Sequence, residues 1–112
     1  MKKTLLGLSL LLVAGTSQAA FMGPGASTLH TVNHALMANE DTIVELTGHI
    51  TQSLGDEMYL FKDSTGEIQI EIDNDQWLGL DVTPEDTVII RGEVDSEWNT
   101  PQIDVDSIQK KA

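Results

Sequence analysis

Between Thr42 and Gln109, apolar and polar positions fall into five separate runs that read with period two, the pattern of strands whose successive side chains point to opposite faces. The first run, Thr42–Thr51, sets Val44, Leu46, Gly48 and Ile50 against Ile43, Glu45, Thr47 and His49. The second, Glu57–Lys62, sets Met58 and Leu60 against Tyr59 and Phe61. The third, Glu67–Asp73, is the most regular: Ile68, Ile70 and Ile72 point inward, while Glu67, Gln69, Glu71 and Asp73 point outward. The fourth, Asp86–Asp95, places Val88, Ile90, Gly92 and Val94 on one face, and the fifth is Gln102–Gln109. In the fifth, Ile103 and Val105 alternate with Asp104 and Asp106, but Ile108 falls out of step, which predicts a bulge or the end of pairing.

The punctuation between these runs completes the architecture. A short helix is predicted over Thr31–Asn39, with Val32, Ala35, Leu36 and Met37 as its apolar stripe and Asn39 as its stop. Asp63-Ser64-Thr65-Gly66 reads as a hairpin turn with Gly66 available for a positive φ. Asn74–Leu80 lacks β-branched residues and predicts a single helical turn, ended by Gly79, whose Trp77, Leu78 and Leu80 plug one end of a core. Ser96–Pro101 reads as a polar loop. Mid-strand Gly48 and Gly92 suit sharply coiled strands that close a small barrel. The expected fold is therefore mainly β: a five-stranded OB-fold Greek-key barrel with a short N-terminal helix and a short helix between strands 3 and 4. An SH3-like barrel is the second choice, since it does not account for the helical plug.

Charge and the N-terminus set the class. Lys2 and Lys3, the apolar run Leu5–Ala14 and Ser17-Gln18-Ala19 have the form of a cleaved secretory signal over residues 1–19. The apolar run is half of the roughly 20 residues a spanning helix needs. Removing residues 1–19, with Lys2 and Lys3, leaves four cations against eighteen acids, a net charge of −14. Such a chain repels phosphate backbones, so a nucleic-acid partner is not expected. Residues 20–30 read as a flexible lead and 31–112 as one domain of an exported protein. With no cysteine, disulfides, thiol nucleophiles and thiolate metal sites are excluded.

Several motifs stand in order along the chain: Tyr59-Leu60-Phe61-Lys62-Asp63 with Gly66, Ile70-Glu71-Ile72-Asp73, Trp77, Val82-Thr83-Pro84, Asp86-Thr87-Val88, Arg91-Gly92-Glu93-Val94-Asp95, Trp98-Asn99 and Ile103-Asp104-Val105. Together they resemble the bacterial OB-fold (BOF) family of the YgiW/YdeI stress-tolerance type. The Phe21-Met22-Gly23-Pro24-Gly25 lead resembles the family's Gly-Pro element after its signal. The resemblance implies a small exported, periplasmic, non-enzymatic ligand-binding OB-fold linked to envelope stress, with no catalytic residues to carry over.

For binding, the outward row Glu67, Gln69, Glu71 and Asp73 lies on the OB-fold's customary ligand face. Together with Glu97 and Trp98 of the loop between strands 4 and 5, it suits a cationic peptide or amine. Its bland alternative is the solvated face of a half-exposed strand. Tyr59, Phe61 and Trp98 offer a second expectation, a cell-wall saccharide, and docking on an envelope enzyme or porin is a third. His30 and His34 have the spacing of a helical two-His pair, but no third ligand accompanies them. Asp73-Asn74-Asp75 and Asp104-Val105-Asp106 lack the Gly and distal Glu of an EF-hand loop, so no metal site is assigned. No cofactor motif or nucleophile–base constellation is present, and an enzyme is not expected.

Overall fold

The computed structural model describes residues 28–97 and 99–112, with the side chains of all of these but Glu97. The expected signal, most of the lead and Trp98 lie outside the described residues. Five strands follow in order: β1 Ile43–Gly55, β2 Met58–Asp63, β3 Gly66–Glu71, β4 Val88–Glu97 and β5 Thr100–Lys110. They close into a barrel in the order β1-β2-β3-β5-β4, with β3 and β5 parallel and every other pair antiparallel. This is the OB-fold arrangement expected from the run order.

The third run buries Ile68, Ile70 and Ile72 as expected, and in each other run one of the two faces is buried, in the second the face of Phe61. Val44, Leu46, Ile50, Ile68, Ile70, Ile72, Val88, Ile90, Val94, Ile103 and Val105 form the core, with Phe61 at its centre. β1 runs four residues past its predicted end because two register shifts, between Ile50 and Gln52 and between Ser53 and Gly55, each admit an extra residue. Those bulges break the alternation while increasing the coil that lets β1 pair β4 first and β2 afterwards. The bulge expected near Ile108 is present as a register shift opposite Arg91 and Gly92.

The ends of the barrel depart more from expectation. The helix, α1, spans Val32–Ala35, shorter than the predicted Thr31–Asn39. Thr31 caps it, Val32 and Ala35 are buried, and Met37 is 72% exposed rather than part of an apolar stripe. Before it, Leu29 of the expected lead is tied to β1: its N–H donates to the Ile43 carbonyl at 3.0 Å and its carbonyl accepts from Glu45 at 2.9 Å. Between β3 and β4 stands a single 3-10 turn, Asn74–Gln76. Trp77 packs against the core as expected, but Leu78 is 90% exposed and takes a left-handed φ of 51°. One turn has no continuous face, so seating the indole leaves its neighbour outside. Gly66 does not take a positive φ either. The β2–β3 turn is held instead by Asp63, which accepts from the N–H groups of Thr65 and Gly66 and from the Thr65 hydroxyl.

Candidate functional site: an acidic rim and an aromatic groove

The β1–β2 connection is a two-residue hairpin. Gly55 pairs with Met58, and Asp56 and Glu57 between them have φ of 55° and 67°. Left-handed backbone at both central residues is the type I′ geometry that matches strand twist, although Gly or Asn usually fills it. Glu57 latches this turn to the end of β3. Its carbonyl accepts from Ile72 N–H at 2.9 Å, and its Oε2 accepts from Asn74 N–H at 2.8 Å. The latch gathers carboxylate oxygens of Glu57, Glu71 and Asp73 within 4.8 Å of one another.

β5 adds Asp104, which stands beside Glu71 in the parallel β3–β5 register. Burial, followed by the negative charges of Asp106, Asp73 and Asp95, raises the Asp104 pKa above the ordinary 3.8. This end of the barrel is thus an acidic rim built from a turn and two strands. Three such carboxylates are the hard oxygen donors that calcium takes, and they equally suit an ammonium or guanidinium group.

The structure divides the residues predicted for this face. Glu71 and Asp73 belong to the rim, with Glu71 half-buried and Asp73 exposed. Glu67 and Gln69 are exposed on the same strand, but Glu67 pairs with Lys62 at the opposite end, about 20 Å from Asp73 at the ordinary rise per residue. The backbone of Glu97 pairs with Thr100, about 13 Å along β5 from Asp104, so it lies toward the Glu67 end. Glu57 was missed, having been assigned only to the start of a strand. The readable signal was an Asp-Glu pair directly after a Gly between two alternating runs.

The aromatic candidates separate as well. Phe61 is fully buried and is not available to a ligand, because at mid-strand the inward face of β2 is covered by the whole barrel. Tyr59 shares that face but sits at the open end, half-buried, with its ring edge-on to Trp77 at 5.4 Å between centroids. These two rings, with Thr51, Gln52, Ser53 and Pro84, line a shallow groove of about 240 Å³. Trp77, expected to be core alone, is half-buried and joins this groove.

The histidines do not form a helical pair. His30 precedes α1 and its Nδ1 lies 3.3 Å from the Glu45 carbonyl, whereas the exposed His34 lies within the helix. His49 is hydrogen-bonded through Nδ1 to the Asp86 carbonyl at 2.9 Å.

Comparison with known proteins agrees with this architecture. The family model described as "Bacterial OB fold (BOF) protein" matches residues 13–110. Protein YgiW of Escherichia coli K12 is 47% identical over 110 residues, covering 88% of this chain and 85% of YgiW. The calcium-regulated OB-fold protein CarO of Pseudomonas aeruginosa is 36% identical over 95 residues, covering 84% and 82%. The solved structure of YgiW from E. coli matches with a TM-score of 0.73 at 45% identity, covering 84% of this chain and all of that one. The telomere capping protein Ten1 of Schizosaccharomyces pombe, at 13% identity and a TM-score of 0.54 over 75% and 79% of the two chains, shares the fold alone. The chain is a member of the bacterial OB-fold (BOF) family.

Proposed function

We propose that this protein is a non-enzymatic binding module of the bacterial periplasm that captures a cationic ligand at its acidic rim and thereby serves envelope stress tolerance. The observation that carries this reading is the convergence of Glu57, from the β1–β2 turn, with Glu71 and Asp73, at the end of β3, within 4.8 Å. The raised pKa of Asp104 beside them, set first by burial and then by its acidic neighbours, supports it, since a cation would relieve the part due to repulsion. The overall charge of −12 draws cations toward the molecule from a distance. The name of the relative CarO records regulation by calcium, which makes calcium the first cation to try.

The test is isothermal titration of the purified protein with calcium chloride and, separately, with a cationic peptide, at low and at high salt. Binding that weakens steeply with salt, and that Glu57→Gln with Asp73→Asn reduces at least about tenfold, is the expected result. Binding of neither ligand, or binding unaffected by those substitutions, would overturn the reading.

A second reading rests on the Tyr59–Trp77 groove, whose aromatic faces beside Thr51, Gln52 and Ser53 have the chemistry of a saccharide site. Soluble peptidoglycan fragments that quench Trp fluorescence regardless of salt would favour it over the acidic rim.

A further inference from the structure

At the end of the barrel opposite the rim, a groove of about 490 Å³ opens between β1, the β2–β3 turn and the approach to α1. Its walls depart from the rest of this acidic surface. They include Lys62, His30, His49 and the hydroxyl-bearing Thr47, Ser64 and Thr87, beside Gly48. The single carboxylate among the described lining residues is Asp63, and both of its oxygens are engaged. Oδ1 accepts from Thr65 N–H at 2.7 Å, Thr65 Oγ1 at 2.6 Å and Gly66 N–H at 3.2 Å, and Oδ2 accepts from Val32 N–H at 2.9 Å.

The two imidazoles are oriented alike. A ring nitrogen bonded to a carbonyl must carry the proton, so both Nδ1 atoms are donors, His30 to Glu45 and His49 to Asp86. In each ring Nε2 is left as the nitrogen outside that bond. On a neutral ring Nε2 is an acceptor; once protonated, it becomes a charged donor. Glu45 and Asp86 do not cancel that charge directly, because their carboxylates face elsewhere. Glu45 pairs with Arg91 at 3.9 Å, and Asp86 pairs with Lys110 at 3.4 Å and accepts from Thr83 N–H at 2.8 Å. Within the lining Lys62 and Asp63 balance when the rings are neutral, Glu67 of β3 stands across from Lys62 just outside it, and protonation of both rings adds two positive charges to the groove.

We propose that this groove binds a tetrahedral oxyanion, a phosphate or sulfate group, when its histidines are protonated. Donor side chains from β1, β2 and the segment before α1 that line one groove, with neighbouring hydroxyls, match the several acceptor oxygens of such a group. The volume leaves room for a small organic substituent on it. Two oriented imidazoles also have the second-shell arrangement of metal ligands. The Lys62 ammonium in the same groove opposes a metal ion, and the one three-residue metal-type cluster among the described residues lies at the acidic rim. The site is independent of the cation-binding reading.

The test is an NMR titration of the purified protein with inorganic sulfate, whose charge is constant over the range used, and in parallel with inorganic phosphate. Histidine side-chain nitrogens and the amides of Lys62 and Ser64 are followed. Saturable shifts there at about pH 5.5, with affinity at least about tenfold weaker at about pH 7.5, are expected. Lys62→Gln should raise Kd about five- to tenfold without moving Tm, since the side chain is exposed. His49→Gln should flatten the pH dependence. If it unfolds the protein, His30→Gln, at an exposed position, gives the same readout. Shifts confined to Arg91, Lys110 and Lys111, equal affinity at both pH values, or an unchanged Kd in Lys62→Gln would each overturn the proposal. Phosphate binding tighter than sulfate would assign the site to phosphate groups; equal binding would assign it to tetrahedral oxyanions in general.

Discussion

Gly92→Ala places a methyl group where β4 and β5 come closest. A Cβ built at Gly92 lies 2.1 Å from the Asp104 carbonyl oxygen and 3.0 Å from the Val105 Cα, both backbone atoms that no rotamer change can move. Bringing that Cβ to the shortest separation real atoms tolerate parts the strands by about 0.9 Å, enough to stretch the neighbouring ladder bonds beyond useful length. Losing one or two such bonds costs about 1 kcal/mol each. Residual overpacking adds about 1–2 kcal/mol. The lower chain entropy of Ala offsets about 0.5–1 kcal/mol, leaving a net loss of about 2–3 kcal/mol. For a domain of this size that is a fall in Tm of about 10–20 °C. Because the displaced carbonyl belongs to Asp104, the acidic rim should move with it.

Gly66→Ala is the control. Its nearest atom would be Val32 Cγ1 at 3.5 Å, an ordinary contact, and its φ is not left-handed, so stability should stay within about 0.5 kcal/mol of wild type. Urea and thermal denaturation followed by circular dichroism, with amide spectra of Asp104 and Val105, make the comparison. If Gly92→Ala melts within about 3 °C of wild type with those amides unmoved, the close-approach account of Gly92 is wrong.

Other expectations follow from the titrating groups and the N-terminus. Burial alone would raise the Asp63 pKa, but hydrogen bonds from the Thr65 side chain and the Val32, Thr65 and Gly66 N–H groups together hold it below 3.8. Its stabilisation is therefore present above the unfolded carboxylate value and is lost as pH falls through the lower native one. Asp63→Ala should cost about 1–2 kcal/mol at neutral pH and much less in acid, read from urea midpoints at both. Asp104 has the opposite sign: with its native pKa raised, folding loses stability as pH rises through that window. Asp104→Asn should accordingly stabilise the protein at neutral pH by about 0.5 kcal/mol, a value reduced by solvent screening, and the gain should vanish once the carboxyl is protonated in both states. Mass spectrometry of the exported protein should give a chain beginning at Ala20, and retention of Met1–Ala19 would refute the signal reading.

The strands could be read from the sequence because a barrel wall is a local, periodic object. Ile68, Ile70 and Ile72 alternate with polar residues and are buried where the period says, and the extra residue of β5 between Val105 and Ser107 announced itself by putting Ile108 out of step. Where the chain bulges, the period misleads: β1 continues to Gly55 because extra residues at two shifts hide its alternation. Leu78 looked like core for its composition, yet a single turn seats only Trp77, and the next side chain must leave.

The sequence by itself therefore determined the closed β architecture, the acidic balance and the outward placement of Glu71 and Asp73. Tertiary structure decided which polar groups meet. Glu57 reaches the rim through a left-handed turn latched to Asn74, and Lys62, His30 and His49 line one groove from three separate segments. Periodicity records how each strand faces the core, because burial acts residue by residue along a local repeat. The meeting of side chains across strands depends on register, bulges and closure, which only the folded barrel sets.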